Sequence, residues 1–225
     1  MEHIPESMNY IQIEEHGDPD VLKLSSQSVP DPALDEVLIT FKGEGSPERT
    51  RYLVRQAEEA GFTYSWFFDS HILWRDSYVT IAMCIEHTQT MRFGPCVTNP
   101  GVRDWSVAAS LFGSLVFQSK GRFDIGVGRG DSSLRVMGKK PANLGEVVDF
   151  CDKVRSMVRG GQTFYSDCPA PVEFPWASGY ELPIWIAAYG PRAIKVDGEH
   201  GDGLVLQTAE PMICKWLTQQ PIKDG

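Results

Sequence analysis

The chain is predicted to fold as a parallel α/β domain of the (β/α)8 TIM-barrel type, incomplete at about six βα units and carrying a short N-terminal β appendage. Three observations lead there. From residue 37 onward, short apolar runs alternate with helical patterns at similar spacing, the mark of βα repetition. The first strand-to-helix turn, GEGSPE, is not the G-x-G-x-x-G that a doubly wound nucleotide-binding sheet would carry. The units number six rather than eight, and the closing QQPIKDG holds no further strand signal.

The elements follow in order. Tyr10, Ile11 and Ile13 read as a short strand before a turn at Gly17-Asp18-Pro19, and residues 1 to 37 are set apart as an appendage from a barrel-type domain over 38 to 225. Residues 37 to 41 (VLITF) form the first strand of that domain. Ser46-Pro47-Glu48 opens a helix with Pro at N1, Leu53, Ala57 and Ala60 recur at helical spacing, and Gly61 stops it. Residues 62 to 68 (FTYSWFF) are aromatic and strand-like. The third strand spans 91 to 97 with a helix over 105 to 118, and the fourth spans 122 to 127 with a helix over 144 to 158. Residues 160 to 182, rich in Gly, Pro and aromatics, form an excursion expected to be a hairpin. The fifth strand is 183 to 188 (PIWIAA) with a helix opening at Pro191, and the sixth is 203 to 206 with a helix over 212 to 217.

Composition narrows the function classes. With 42% hydrophobic and 11% aromatic residues in 225, a packed core is expected and disorder is not. The 21 Lys+Arg against 30 Asp+Glu give a formal charge of −9, which excludes a basic footprint for nucleic acid. The N-terminus lacks a basic-then-apolar signal pattern, and no stretch approaches the roughly 18 apolar residues of a membrane span, so a cytoplasmic protein is expected. The five cysteines (Cys84, Cys96, Cys151, Cys168, Cys214) form no C-x-x-C pair and read as reduced thiols, with no metal site.

In a barrel the functional residues belong at the C-terminal ends of the strands, where the βα loops converge. Four candidate segments fall there. After the second strand, Asp69, Ser70, His71 and Trp74 offer an acid, an imidazole and an aromatic face; capping by Asp69 or Ser70 beside a surface histidine explains the spacing equally well. After the third, Gly94 to Pro100 contains Cys96, Val97, Thr98 and Asn99 in a stretch that could press backbone against a planar ligand or form a tight turn. No feature activates Cys96, which favours a packed thiol. After the fourth, Gly128, Arg129 and Gly130 would allow close ligand approach, and Asp131 could cap a turn or handle a proton. After the fifth, Ala187 to Pro191 precedes a helix N-terminus that suits an anion or an ordinary turn. Their common placement points to a cofactor pocket.

At these residues the sequence resembles the luciferase-like monooxygenase superfamily, and within it the coenzyme F420-dependent oxidoreductases. The stretches that carry the likeness are ITFKGEGSPERT (39 to 50), QAEEAGFTYSWFFDSHILWRD (56 to 76), MRFGPCVTNP (91 to 100), GRFDIGVGRGDS (121 to 132), LPIWIAAYGP (182 to 191) and GDGLVLQ (201 to 207). The resemblance implies a barrel with the deazaflavin, or alternatively FMN, lying across the strand ends. It implies Asp69 and His71 facing the ring with Trp74 as aromatic wall, and a non-proline cis peptide between Cys96 and Val97. It further implies Asp131 in proton handling and Ala188, Tyr189 and Gly190 in contact with the cofactor. The implied reaction is hydride transfer to or from a small organic substrate, with His71 or Asp131 moving the proton. The rival readings are an FMN-dependent monooxygenase and a non-catalytic truncated remnant, and an incomplete barrel with open edges predicts a homo-oligomer. Residues 9 to 39 are similar to the opening strands of a zinc-independent quinone oxidoreductase of the medium-chain dehydrogenase superfamily, which implies a fused or truncated chain; the likeness carries no nucleotide-binding motif and does not imply that enzyme's nicotinamide chemistry.

Overall fold

A computed structural model of the chain describes residues 7–13, 22–28, 38–41, 46–165, 167–207, 212, 213 and 216. Its contacts divide into two compact units, Met1–Glu36 and Val37–Gly225. In the first, strands β1 (Ser7–Ile13) and β2 (Leu22–Ser28) pair antiparallel, with Ser7 opposite Ser28 and Ile13 opposite Leu22. The turn expected at 17 to 19 lies outside the described residues.

The second unit holds two parallel three-stranded sheets. One runs β3 (Leu38–Phe41), β4 (Tyr64–Phe67) and β5 (Arg92–Pro95); the other runs β6 (Ile125–Val127), β7 (Ile184–Ala187) and β8 (Gly203–Val205). Parallel bridges at Phe93–Phe123 and Thr98–Val127 join them, with the Asp124 amide donating to the Phe93 carbonyl at 2.8 Å and the Gly128 amide to Thr98 at 2.8 Å. Spatial order therefore equals chain order across all six strands. A doubly wound sheet must reverse that order at a switch point, so this is barrel topology. Among the described residues the outer edges of β3 and β8 pair with no further strand, which leaves the barrel open there.

The helices begin where the sequence supplies caps. Ser46 accepts the Arg49 amide ahead of α1 (Pro47–Glu59), and Asp104 accepts the Ser106 amide ahead of α3 (Trp105–Ser119). Asn143 and Glu146 form a reciprocal capping box at α5 (Leu144–Val158). Its buried face, Val147, Cys151, Val154 and Val158, keeps the three-to-four spacing of a helix laid on a core. In α1 the buried face is Thr50, Val54 and Ala57; Leu53 is exposed, so the stripe lies one residue away from the expected Leu53–Ala57–Ala60 line. Helix α2 (Ser77–Ile85), with Asp76 as cap, and the six-residue α4 (Asp131–Val136) were not foreseen. The last long helix, α6 (Pro191–His200), has Pro at N1 as expected. Of the helix expected over 212 to 217, Met212, Ile213 and Trp216 are helical and the rest lies outside the described residues. The excursion over 160 to 182 narrows to one antiparallel bridge, Thr163 with Val172. Among the described residues no helix is long and apolar enough to cross a membrane, and Cys84, Cys96, Cys151 and Cys168 are free thiols.

Strand alternation separates two interiors. Phe67, Phe93, Phe123, Ile125, Val127, Ile184 and Ile186 pack outward against the helices in the main core. The opposite parity carries Tyr64, Trp66, Arg92, Asp124 and Trp185 into the lumen. There Tyr64 and Trp66 stack at 5.5 Å, and Trp185 meets both edge-on. Asp124, fully buried, pairs with Arg92 and accepts hydrogen bonds from the Tyr64 hydroxyl (3.1 Å) and the Trp185 indole (3.3 Å). Gly94 and Gly203 make room for the indoles: a Cβ on either would fall well inside contact distance of Trp66 or Trp185 respectively.

Candidate active site

Above this aromatic layer, at the C-terminal ends of β4 through β8, a cleft of about 880 Å³ opens. Each strand contributes by the same logic, the residues at or just past its C-terminal end turning toward the mouth. β4 leads to Phe68, Asp69 and Ser70; β5 to Cys96 and Val97; β6 to Gly128, Arg129, Gly130 and Asp131; β7 to Ala187, Tyr189 and Gly190; β8 to Leu206 and Gln207. Val97, Gly128, Ala187, Val205 and Leu206 supply apolar lining, while Ser70, Ser132, Arg192 and Gln207 supply polar groups. The volume and the mixture suit a drug-sized planar ligand.

The segment after β4 is one tight turn, in which the Leu73 and Trp74 amides both donate to the Ser70 carbonyl, at 2.8 and 2.9 Å. Asp69 is only 3% exposed, and its Oδ2 accepts from the Tyr78 hydroxyl (2.8 Å), Thr98 Oγ1 (2.7 Å) and Arg103 Nη1 (2.7 Å). Burial, and then the adjacent Asp69 charge, hold the Tyr78 phenol well above its ordinary pKa, so it remains a donor to that carboxylate. Asp69 Oδ2 thus joins three separate parts of the chain at the cleft wall. His71 is exposed and Trp74 half-buried, and neither lines the cleft, because the turn carries them past its wall.

After β5 the Cys96–Val97 peptide is cis, and both residues line the cleft. Burial pushes the Cys96 thiol up to about 11, so it is a neutral packed thiol at physiological pH. Thr98 and Asn99 are buried one layer behind. Thr98 holds Asp69, while the Asn99 amide donates to Ser133 Oγ at 2.9 Å and its carbonyl oxygen accepts the Gly101 amide at 3.0 Å. They tie the loops together instead of lining the cleft. Gly130 has φ +81° and lies so close to Asn99 that a Cβ would stand 2.6 Å from its Cγ; no other residue suits the position. Arg129 borders the cleft while its Nε donates to the Ala142 carbonyl at 2.7 Å. Asp131 has its side chain 57% exposed, borders the cleft and pairs with Arg135 at 3.0 Å. Past β7, Tyr189 and Gly190 line the cleft, but Ala188 is buried against Ile194 of α6 because adjacent strand residues face opposite sides.

Sequence reasoning missed Phe68, Ser133, Leu144, Arg192, Ala193, Val205, Leu206 and Gln207 among the lining residues, and Tyr78 and Arg103 behind them. The strand-end rule applied to the sixth strand would have found Leu206 and Gln207. Among the described residues no cluster of His, Cys, Asp or Glu could hold a metal ion.

A parallel barrel with its cleft at the strand ends defines a class of ligand-binding barrel proteins, and sequence comparison gives the family within it. The profile of the luciferase-like monooxygenases matches residues 33–219, and the chain belongs to that family. A 5,10-methylenetetrahydromethanopterin reductase of Archaeoglobus fulgidus is 30% identical over 168 residues, which are 71% of this chain and 49% of the relative. The chain thus spans about half the length of the curated relatives it matches. Among solved structures, the coenzyme F420-dependent tetrahydromethanopterin reductase from Methanopyrus kandleri superposes with TM-score 0.73 at 20% identity, covering 84% of this chain and 61% of that one. An FMN complex of the oxygenating constituent of 3,6-diketocamphane monooxygenase from Pseudomonas putida superposes with TM-score 0.64 at 13% identity, covering 84% and 63%.

Proposed function

We propose that this chain is an oxidoreductase that transfers a hydride between coenzyme F420 and a small organic substrate. The observation that carries the reading is the convergence of five successive strand ends on one cleft with apolar lining and polar groups. When bound, the deazaflavin supplies the hydride donor or acceptor. Val97, Gly128, Ala187 and Val205 would lie against its ring and exclude water from it. Arg192 borders the cleft at the first turn of α6, whose N-terminal end favours anions, and would hold the phosphate-bearing tail. Asp131, the exposed carboxylate of the cleft, holds or moves the proton, whereas His71 acts only if its turn swings inward. Asp69, Thr98 and Asn99 position these loops.

The F420 reading is supported by the F420-dependent structural neighbour. The second reading, an FMN-dependent monooxygenase, is favoured by the FMN-bound neighbour of the same fold. To the same reading belong a cytosolic setting, self-association through the open edges of β3 or β8, and an appendage over residues 1 to 37 with a quinone oxidoreductase-like origin for residues 9 to 39. The division of contacts at residue 36 supports the appendage.

Titration with oxidised F420 and separately with FMN, followed by ligand absorbance and by the melting midpoint, tests the assignment. Saturable binding of F420 with a raised midpoint is the expected result. Preference for FMN would select the second reading, and binding of neither would leave a non-catalytic remnant. A monomer at every concentration by light scattering would remove the self-association.

A further inference from the structure

We propose that Arg103 is a positioning residue: by clamping Asp69 it aligns the two cleft-lining segments that follow β4 and β5. The inference rests on the reading that this cleft holds the cofactor. One oxygen of Asp69 gathers donors from three separate parts of the chain: Tyr78 in α2, Thr98 after β5 and Arg103 before α3. Two of these are neutral hydroxyls, and a carboxylate 3% exposed requires a counter-charge, which the guanidinium alone among the three supplies. Arg103 does more than neutralise. Its second nitrogen, Nη2, reaches Asp76, the cap of α2, at 3.1 Å, and its plane lies 4.7 Å from the Tyr78 ring centroid. Arg103 thus grips α2 at two points while holding the wall residue Asp69.

The consequence reaches the cleft through chain neighbours. Asp69 sits between the lining residues Phe68 and Ser70, and Thr98 directly follows the lining pair Cys96–Val97. Arg103 does not itself line the cleft, so it acts through these residues. Lysine, a point charge, could keep the Asp69 pair but not span both carboxylates as the planar fork does.

Two measurements on the full chain test the proposal: F420 and FMN titrations, and amide hydrogen exchange, on wild type, Arg103→Met, Arg103→Lys, Thr98→Val and Asp76→Ala. Arg103→Met is expected to weaken binding of whichever cofactor the wild type takes by on the order of 10- to 100-fold, the scale of a small misplacement of binding groups. Arg103→Lys recovers part of that loss, and Asp76→Ala, which removes the exposed arm together with the side-chain cap of α2 but leaves the Asp69 pair, weakens binding less than Arg103→Met. Exchange protection falls jointly in residues 68–76 and 96–103. Wild-type affinity in folded Arg103→Met, or protection lost uniformly across the barrel, overturns the proposal. If Arg103→Met does not fold, Thr98→Val with unchanged affinity and protection overturns it instead. If the wild type binds neither cofactor, the functional reading fails by itself, and the exchange data decide the clamp: joint loss in the two segments supports it, and unchanged protection overturns it.

Discussion

Replacing Asp197 by Asn should stabilise the protein at neutral pH and remove one source of its pH dependence. Asp197 lies in α6, is 7% exposed, and its Oδ1 has no hydrogen-bond partner among the described residues. Burial raises its carboxyl from 3.8 to about 6; the Ile186 amide opposes the rise, and the charge on Asp202 adds to it. A folded-state value above the unfolded one means that the native protein binds the proton more tightly. The contribution of this one group to stability is therefore fully present below about pH 4, is lost as pH rises from 4 to 6, and changes no further above. At one pH unit per 1.36 kcal/mol, the charged side chain costs up to ~3 kcal/mol at pH 7. Asparagine removes the charge but leaves an amide whose needs are only partly met, so a gain of about 2 kcal/mol is expected. For a chain of this size that raises the melting midpoint by about 4–8 °C. Thermal melts of both proteins at pH 4.5, 5.5 and 7.5 are the assay, with the gap between them widening toward pH 7.5. A variant that melts below the wild type at pH 7.5, or a gap that does not change with pH, would refute the reasoning.

Other outcomes follow from other sites. Arg92→Met leaves Asp124 charged and unpaired in the lumen and should cost about 3–5 kcal/mol in a urea titration, since one partner of a buried ion pair is lost. Gly130→Ala imposes a left-handed backbone on alanine and drives its methyl into Asn99; a loss of about 1–3 kcal/mol is expected, read as a lowered urea midpoint. Cys168, exposed, should react quickly with a thiol reagent at pH 8, whereas Cys96 should react only as pH approaches its raised value of about 11; mass mapping of the labelled peptides distinguishes them.

The sequence made the barrel class legible because each strand is a compact apolar run and each long helix carries its own cap or proline start, as at Pro47, Asn143 and Pro191. Strand-end geometry then located the cleft, since residues after successive parallel strands must converge. What failed is equally physical. Residues 77 to 85 are apolar nearly all round, so no stripe marks them as a helix, and the six residues of α4 are too few to show a period. Periodicity gave the right spacing for α1 but not its rotation, and Val54 rather than Leu53 is inside. Parity was hidden at the strand ends as well: Ala187 faces the cleft and Ala188 the helix layer, a distinction fixed only once the strands pair. Arg103 was invisible because its partner Asp69 lies 34 residues away, beyond any local pattern.

The glycines facing the lumen indoles carry an evolutionary consequence. Trp185 occupies the volume that Gly203 relinquishes, so this pair behaves as one object of nearly constant size, whereas a Cβ at Gly94 would strike the Asp124 backbone carbonyl as well as Trp66. A lineage that places even alanine at 203 must shrink Trp185 in the same step or soon after, while at 94 a smaller residue in place of Trp66 would still leave the Asp124 carbonyl in the way. Positions 185 and 203 should therefore drift together, as an exchange of bulk between neighbouring strands, while position 94 is held to glycine by backbone alone.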